Sequence, residues 1–245
     1  MKETSPQERV FLSAEWRDLA MLNYEVDPRL LTSYVPHGTE LDSFGGKTFV
    51  SLVGFRFLQT KLFGVISIPF HSNFDEVNLR FYVRRQEGAN LRRGVVFIRE
   101  IVPRRAIADV ARLIYGENYT RHPMRHSINR DGAGIAAEYE WQFERRWCHL
   151  FAHASGIPGT PLEGSFEQFI TEHYWGYSRK RDETCVEYHV SHVPWQVWSA
   201  ASAGFKGDGD ALYGSAFGSV LGRKPDSAFI ADGSAVQVFM ARRIS

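Results

Sequence analysis

Strand-like segments dominate this chain, and they do not alternate regularly with helical ones. Apolar runs or period-two alternation, which are typical of strands, occur at five places: Lys47–Phe57, Val77–Arg84, Gly94–Val102, Ala136–Phe143 and Ala228–Ala241. Parallel sheets are usually built from alternating strands and helices, so that architecture is disfavoured. The pattern predicts a mainly β (α+β) fold, in which an antiparallel closed or barrel-like sheet encloses a cavity and a few helices lie at its periphery.

The helical signals are few and short. Start signals for four short helices occur at Ser5, Asp27, Pro103 and Ser165. At Ser5 and Ser165, a Glu or Gln three residues later completes a capping-box pattern. The stretch Gly204–Gly222 is rich in Gly, Ser and Asp, and it is predicted to be an extended loop region.

Length and composition favour one globular domain. The 245 residues are 44% hydrophobic and 23% charged, which is ordinary for a globular protein and untypical of a disordered or fibrous one. No internal repeat or low-complexity linker divides them, so we expect a single domain over residues 1–245. The content of Trp and Phe permits a homodimer without requiring one.

Net charge and the N-terminus restrict the possible partners. A formal net charge of +1 provides no overall field that would attract nucleic acid or acidic membranes. The longest apolar run, Leu62–Ile68, is much shorter than the roughly 20 residues of a membrane-spanning helix, and the N-terminus has no apolar signal-peptide region. Two cysteines, Cys148 and Cys185, do not make a disulfide framework. We therefore expect a cytoplasmic protein with neither a nucleic-acid nor a membrane partner.

The segment Glu76–Arg84 is the strongest candidate for a ligand site. Alternate residues of a strand point to opposite faces, and here one face is apolar while the other carries Glu76, Asn78, Arg80, Tyr82 and Arg84. A carboxylate, an amide and a guanidinium along one face could bind a small polar ligand, and Glu76 could act as a general acid or base if burial raised its pKa. The alternative is a solvated face whose Glu/Arg pair contributes little.

The next strand adds two charges. Arg99 and Glu100 lie within the otherwise apolar run Gly94–Val102. Charges in such a run are costly unless they are paired or face a polar cavity. A barrel with a polar interior would accommodate them, which favours the cavity over the solvated face.

No metal or cofactor site is predicted. His149 and His153 follow Cys148 closely, and Cys185 precedes His189, which together could suggest zinc. However, the paired Cys-x-x-Cys spacing and the carboxylate of a metalloprotease motif are both missing. Dinucleotide, P-loop, calcium-loop and nucleophile-elbow motifs are missing too.

Six segments resemble the YqjF-like family of unknown function, which is grouped with the acetoacetate decarboxylase-like fold. They extend over nearly the whole chain: Glu15–Leu19, Pro69–His71, Asn73–Val83, Arg99–Pro103, Thr171–Tyr174 and His192–Trp195. The resemblance implies an antiparallel barrel-like sheet around a small-molecule cavity. It also implies that Glu76 lies in that cavity, because Phe74-x-Glu76 is similar to an aromatic-x-Glu segment of the decarboxylase active site.

The same resemblance argues against decarboxylase chemistry. The stretch Arg112–Gly116 is similar to the segment that leads into the paired lysines of the decarboxylases. Here Glu117–Thr120 follow, and none of these residues is a lysine. A Schiff base needs an activated amine, and Tyr119 cannot supply one. The chain is therefore not expected to be a Schiff-base decarboxylase.

These arguments predict an uncharacterised small-molecule protein. The first hypothesis is a cofactor-independent acid/base enzyme acting on a carboxylate- or carbonyl-containing metabolite; the alternative is a non-catalytic ligand-binding or sensing module. The expected catalytic residues are Glu76 and Tyr119, although Tyr119 could merely cap the pocket. The expected ligand-binding residues are Arg80, Asn78, Arg99, Arg112, His192 and Trp195, although Trp195 could be a core residue.

Overall fold

The computed structural model describes residues 8–67, 72–103, 118–180 and 182–244. Within them the chain is mainly β. The strands are β1 Val10–Val26, β2 Glu40–Leu41, β3 Thr48–Leu62, β4 Ile66–Ser67, β5 Phe74–Glu87, β6 Asn90–Val102, β7 Tyr119–Arg121, β8 Met124–Asp131, β9 Gly134–Phe143, β10 Arg146–Ser155, β11 Trp175–Arg179, β12 Cys185–His192, β13 Val197–Lys206, β14 Ser227–Phe239 and β15 Arg242–Ile244. The helices are α1 Phe166–Thr171, α2 Gly209–Tyr213 and α3 Ser215–Leu221, with 3₁₀ turns at Pro28–Leu30 and Thr32–Tyr34.

The predicted mainly β fold is confirmed. All five predicted strand segments are strands, in β3, β5, β6, β9 and β14, and their ends differ from the prediction by a few residues. Element ends depend on pairing partners as well as on local pattern. Among the described residues, no helix is long and apolar enough to cross a membrane.

The helix signals had mixed outcomes. Ser165 caps α1 as predicted, because its Oγ accepts a hydrogen bond from the backbone N–H of Gln168 at 3.2 Å. The Asp27 signal produces only two 3₁₀ turns, although the Asp27 carboxylate accepts from the N–H of Arg29 at 2.9 Å. The helix predicted to open at Pro103 lies outside the described residues. So does the start of the one at Ser5, and β1 already occupies the chain from Val10.

The predicted loop at Gly204–Gly222 is wrong. That stretch contains the end of β13 and the helices α2 and α3. Its glycines permit close packing: a Cβ on Gly218 would lie 2.5 Å from the backbone nitrogen of Asp210. Asp208 caps α2 by accepting from the N–H of Ala211 at 3.0 Å. The glycines of this stretch therefore allow α2 and α3 to pack closely against each other.

The hydrogen-bonded path through the main sheet closes on itself. β14, β1, β3, β5 and β6 pair in that order; β6 then pairs with β11, β11 with β12, and β12 with β14. Most pairings are antiparallel as predicted, and two are parallel: β11 and β7 both run parallel to β6. The chain leaves β6 for β7–β10 and α1 before it returns as β11, and such a long crossover permits a parallel pairing.

A second layer covers the outer face of this closed sheet. β8, β9, β10 and β13 pair side by side, and apolar residues of β9 and β10 share one core with Val77, Leu79 and Phe81 of β5. The other face of β5 therefore points inward, where Tyr82 belongs to a separate aromatic-rich cluster that α1 covers. Both faces of β5 are buried, which decides where its polar side chains lie.

Candidate functional site

The polar side chains of β5 are buried in the interior of the sheet. Glu76, Asn78 and Arg80 are exposed to only 2%, 1% and 9%. Arg84, further along the same face, is partly exposed and forms an ion pair with Glu40 at 2.8 Å. The polar face is therefore not the solvated surface that was the alternative. Buried polar groups are costly unless they are hydrogen-bonded or meet a ligand.

Among the described residues, Asn78 and Tyr119 donate hydrogen bonds to the Glu76 carboxylate. Nδ2 of Asn78 donates to Oε1 at 2.9 Å, and the hydroxyl of Tyr119 donates to Oε2 at 3.3 Å. Tyr119 lies on β7, which runs parallel to β6 and places the ring in the inner cluster. The fold thus brings together the two residues that were expected to be catalytic.

Glu100 belongs to this face, and Arg99 does not. In the pairing of β5 with β6, Glu100 lies opposite Asn78 while Arg99 lies opposite Leu79 of the outer core. Directly paired residues share a face, so Arg99 points away from the proposed ligand site, which corrects its assignment as a ligand-binding residue. The register shifts between Leu79 and Arg80, and such an irregularity is invisible in a period-two pattern.

The guanidinium of Arg80 lies beneath α1. Its Nη2 donates a long hydrogen bond of 3.5 Å to the carbonyl of Ile170, and its Cζ lies 5.8 Å from the ring centre of Tyr82. Within the described residues its Nε has no hydrogen-bond partner. The Tyr82 hydroxyl is fixed by a 2.6 Å hydrogen bond with Oγ of Ser51. Arg80 is therefore a buried cation with donor capacity to spare.

His173 is a residue of this region that the sequence analysis did not select. Its side chain is 2% exposed and packs against the rings of Tyr82 and Phe169, at centroid distances of 4.7 and 5.1 Å. Nε2 lies 3.4 Å from Oδ2 of Asp42 without good hydrogen-bond geometry, and within the described chain neither ring nitrogen has a partner. The only earlier signal was its place in the Thr171–Tyr174 segment.

Burial controls the charge state of His173. It lowers the pKa of the imidazole, and the neighbouring Asp42 only partly offsets it. Burial also acts to raise the pKa of Asp42, but His173 and Arg93 outweigh it and hold that pKa below its usual value. Arg93 Nε lies 3.3 Å from Oδ2 of Asp42. At neutral pH the pair is thus a neutral imidazole beside an ionised carboxylate.

His192 and Trp195 form a stacked pair near Arg80. Their ring centroids are 4.2 Å apart, and Nε1 of Trp195 donates to Oγ of Ser234 at 3.0 Å. Burial, with a smaller effect of the Arg80 charge, lowers the pKa of His192 to about 4. His192 Nδ1 lies 2.9 Å from the carbonyl of Val193, which can only accept, so Nδ1 carries the proton. Arg112 lies outside the described residues.

The histidines whose spacing could suggest zinc both contact Glu138. Nε2 of His149 lies 3.2 Å and Nε2 of His153 lies 2.7 Å from its carboxylate oxygens. Over the described ranges, no group of three or more His, Cys, Asp or Glu is arranged to hold a metal ion.

The chain has six lysines; five lie in the described ranges, and none of those is buried: Lys47, Lys61, Lys180, Lys206 and Lys224.

The lowered pKa values of His173 and His192 predict a pH-dependent stability. The folded-state pKa values of His173 and His192 lie below those of the unfolded chain, so below about pH 6.5 the unfolded state binds more protons. The contribution of these histidines to the free energy of unfolding should be fully present above that pH and decrease as the pH falls. We expect unfolding in urea at pH 5.5 to show a loss of up to about 1 kcal/mol for His192 alone.

A His192→Phe variant checks this assignment. It removes the titrating group and keeps an aromatic ring, so the difference in unfolding free energy between pH 7.5 and pH 5.5 should shrink. A wild-type protein that is equally stable at pH 7.5 and 5.5 would contradict the expected linkage.

Comparison with solved structures shows the fold. Acetoacetate decarboxylase from Legionella pneumophila superposes with a TM-score of 0.67, over 100% of this chain and 92% of that one, at 11% identity. The enduracididine biosynthesis enzyme MppR, solved with pyruvate, superposes with a TM-score of 0.66 over 100% and 93% at 14% identity. An acetoacetate decarboxylase-like enzyme from Sphingomonas wittichii RW1 has a TM-score of 0.66 over 96% and 93% at 11% identity.

Sequence comparison shows the family. The uncharacterized protein YqjF of Bacillus subtilis (strain 168) is 25% identical over 185 residues, which cover 76% of this chain and 74% of that protein. The DUF2071 family, described as an uncharacterized conserved protein, matches residues 13–235. This chain, with an acetoacetate decarboxylase-like fold and a buried carboxylate, amide and guanidinium on β5, belongs to the DUF2071 family.

Proposed function

We propose that this chain binds a small carboxylate- or carbonyl-containing metabolite on the inner face of β5 and performs acid/base chemistry on it through Glu76. The observation that carries the proposal is the burial of Glu76, Asn78 and Arg80 on one face, with the Nε of Arg80 lacking a protein partner in the described residues. A buried cation with unused donors is a strong anchor for a carboxylate. The alternative is binding or sensing without catalysis.

The roles follow from the contacts. Arg80 holds the anionic end of the ligand, and Glu76 lies four residues earlier on the same inward face, so both side chains border the proposed ligand site. Tyr119, which donates to Oε2 of Glu76, can pass its own proton to substrate or to Glu76. The reaction class that fits is proton transfer next to a carbonyl, or hydration or hydrolysis.

A Schiff-base route is not part of the proposal. It would require an amine in the cavity, and none of the lysines in the described ranges is buried there. Support for the ligand class comes from MppR, whose structure contains pyruvate, a small carboxylate with a carbonyl group. We propose that the shared cavity takes such molecules here without imine chemistry and without a cofactor.

The test uses three variants of one strand. A panel of small carboxylates is screened for binding by ligand-detected NMR and for turnover. We expect Arg80→Ala to weaken binding at least about tenfold, since a buried ion pair is lost, whereas Arg84→Ala, on the exposed end of the same face, should bind like the wild type. Glu76→Gln should retain binding and lower turnover about 100-fold or more if Glu76 is the acid/base group.

The outcomes separate the two hypotheses. Binding that depends on Arg80, with no turnover in the wild type, would establish the non-catalytic alternative. Equal binding by wild type and Arg80→Ala would show that the site is misplaced.

A further inference from the structure

The amide of Asn78 has a defined orientation. Its Nδ2 donates to the Glu76 carboxylate at 2.9 Å, and a carboxylate accepts rather than donates. The orientation assigned to the amide is therefore the one that the hydrogen bonding requires. Oδ1 consequently points away from Glu76. Asn78 is 1% exposed, and across the described residues Oδ1 has no hydrogen-bond donor.

An unsatisfied buried acceptor and an unsatisfied buried donor lie side by side on β5. The acceptor is Oδ1 of Asn78, and the donor is Nε of Arg80. Residues two apart on a strand are separated by about 7 Å, a span that one small molecule covers with a hydrogen bond at each end. Each group left unpaired in the interior has lost its hydrogen bonds to water without replacement. A single ligand could form hydrogen bonds with both atoms at once.

This arrangement restricts the chemistry of the ligand. We propose, on the basis of the function proposed above, that the ligand is a small hydroxycarboxylate whose carboxylate pairs with Arg80 and whose hydroxyl donates to Oδ1 of Asn78. A keto acid has only acceptors and would leave Oδ1 unpaired. An ammonium group could also donate to Oδ1, but it would place a second positive charge beside the Arg80 guanidinium.

Matched carboxylates test the proposal. The probes are lactate, pyruvate, propionate and alanine in one series, and 3-hydroxybutyrate with butyrate in another, with both enantiomers where they exist. Dissociation constants are measured by calorimetry and ligand-detected NMR on the full chain. We expect the hydroxyl member of at least one series to bind at least about tenfold tighter than its partners, because the keto and unsubstituted partners leave the buried acceptor unpaired and the amino partner adds a cation beside Arg80.

Variants locate the effect. Asn78→Leu removes the acceptor and should reduce the preference for the hydroxyl member to about one, whereas Arg80→Ala should weaken all members alike. Asn129→Leu, an exposed Asn on β8, should leave the preference intact. Should Asn78→Leu fail to fold, the wild-type comparison decides alone.

The wild type gives three distinguishable results. A hydroxyl preference supports the proposal. Arg80-dependent binding in which the keto, amino or unsubstituted partner binds as well as or better than the hydroxyl member overturns it and leaves the proposed function standing. If no probe binds, both the hydroxycarboxylate assignment and the carboxylate site are overturned.

Discussion

Replacement of Glu187 by Ala should destabilise this protein by about 3–5 kcal/mol, because it removes the buried partner of several guanidinium groups. Glu187 lies on β12 and is fully buried. Its Oε1 accepts from Nη1 of Arg92 at 2.6 Å and from Nε of Arg242 at 2.6 Å, and Oε2 lies 3.4 Å from Nη1 of Arg85. Without Glu187, the guanidinium groups of Arg85, Arg92 and Arg242 would share the half-buried carboxylate of Glu87 as an ion-pair partner.

The position of this cluster explains why the effect should be large. Arg85 and Arg92 come from the hairpin of β5 and β6, while Glu187 and Arg242 come from β12 and β15. The cluster therefore joins the β5–β6 hairpin to β12 and β15, which lie much later in the chain. Loss of a buried partner leaves uncompensated charges whose desolvation is not repaid.

Urea unfolding measures the Glu187 effect. Glu183→Ala is the matched control, because its side chain is 75% exposed and its ion pair with Arg179 is long, at 3.4 Å. That control should change stability by less than about 0.5 kcal/mol. The Glu187 effect should persist in 0.5 M salt, since a buried pair is little screened. A Glu187→Ala protein within 1 kcal/mol of the wild type would contradict this account of the cluster.

Gly233→Ala should cost roughly 2–5 kcal/mol, the sum of an unfavourable backbone conformation and a steric clash. Gly233 in β14 has φ of +79°, and a Cβ there would lie 1.9 Å from the carbonyl oxygen of Trp16. That contact is with the backbone of β1, which a side-chain rotation cannot relieve. The adjacent Ser234 accepts from Trp195, so the displacement should extend toward the stacked pair near Arg80.

Gly88→Ala separates the two contributions. Gly88 has φ of +58° in the turn between β5 and β6, but nothing lies within 4 Å of its Cβ position. It should therefore cost only the conformational part, about 1–2 kcal/mol. Thermal and urea unfolding of both variants gives the difference. If Gly233→Ala is no more destabilising than Gly88→Ala, the close approach of β14 to β1 is not a constraint.

Much of the architecture was readable from local pattern. The alternation of β5 predicted which side chains share a face, and the capping residue Ser165 predicted α1. The resemblance to a known family placed Glu76 in a cavity, and the acetoacetate decarboxylase-like fold is confirmed. Gly209 and Gly218 misled the prediction because glycine is also selected where helices approach closely.

The face of a charged residue depended on register. Arg99 and Glu100 are neighbours, and pattern alone cannot say which of them points inward. The irregularity in the pairing of β5 with β6 places Glu100 opposite Asn78. Because side chains alternate with a period of two, a slip of one residue exchanges the two faces. The same local view could not select His173, whose neighbour in the fold, Asp42, is 131 positions earlier in the chain.

The sequence by itself determined the strands, the polar face of β5 and the absence of a lysine at 117–120, because each is a property of consecutive residues. Only the tertiary structure decided that this face is buried, that Tyr119 contacts Glu76, and that Oδ1 of Asn78 and Nε of Arg80 have no partner in the described chain. Those facts arise where distant strands pair to close the sheet around its inner face, which α1 covers. Burial and hydrogen-bond satisfaction are therefore properties of the packed fold.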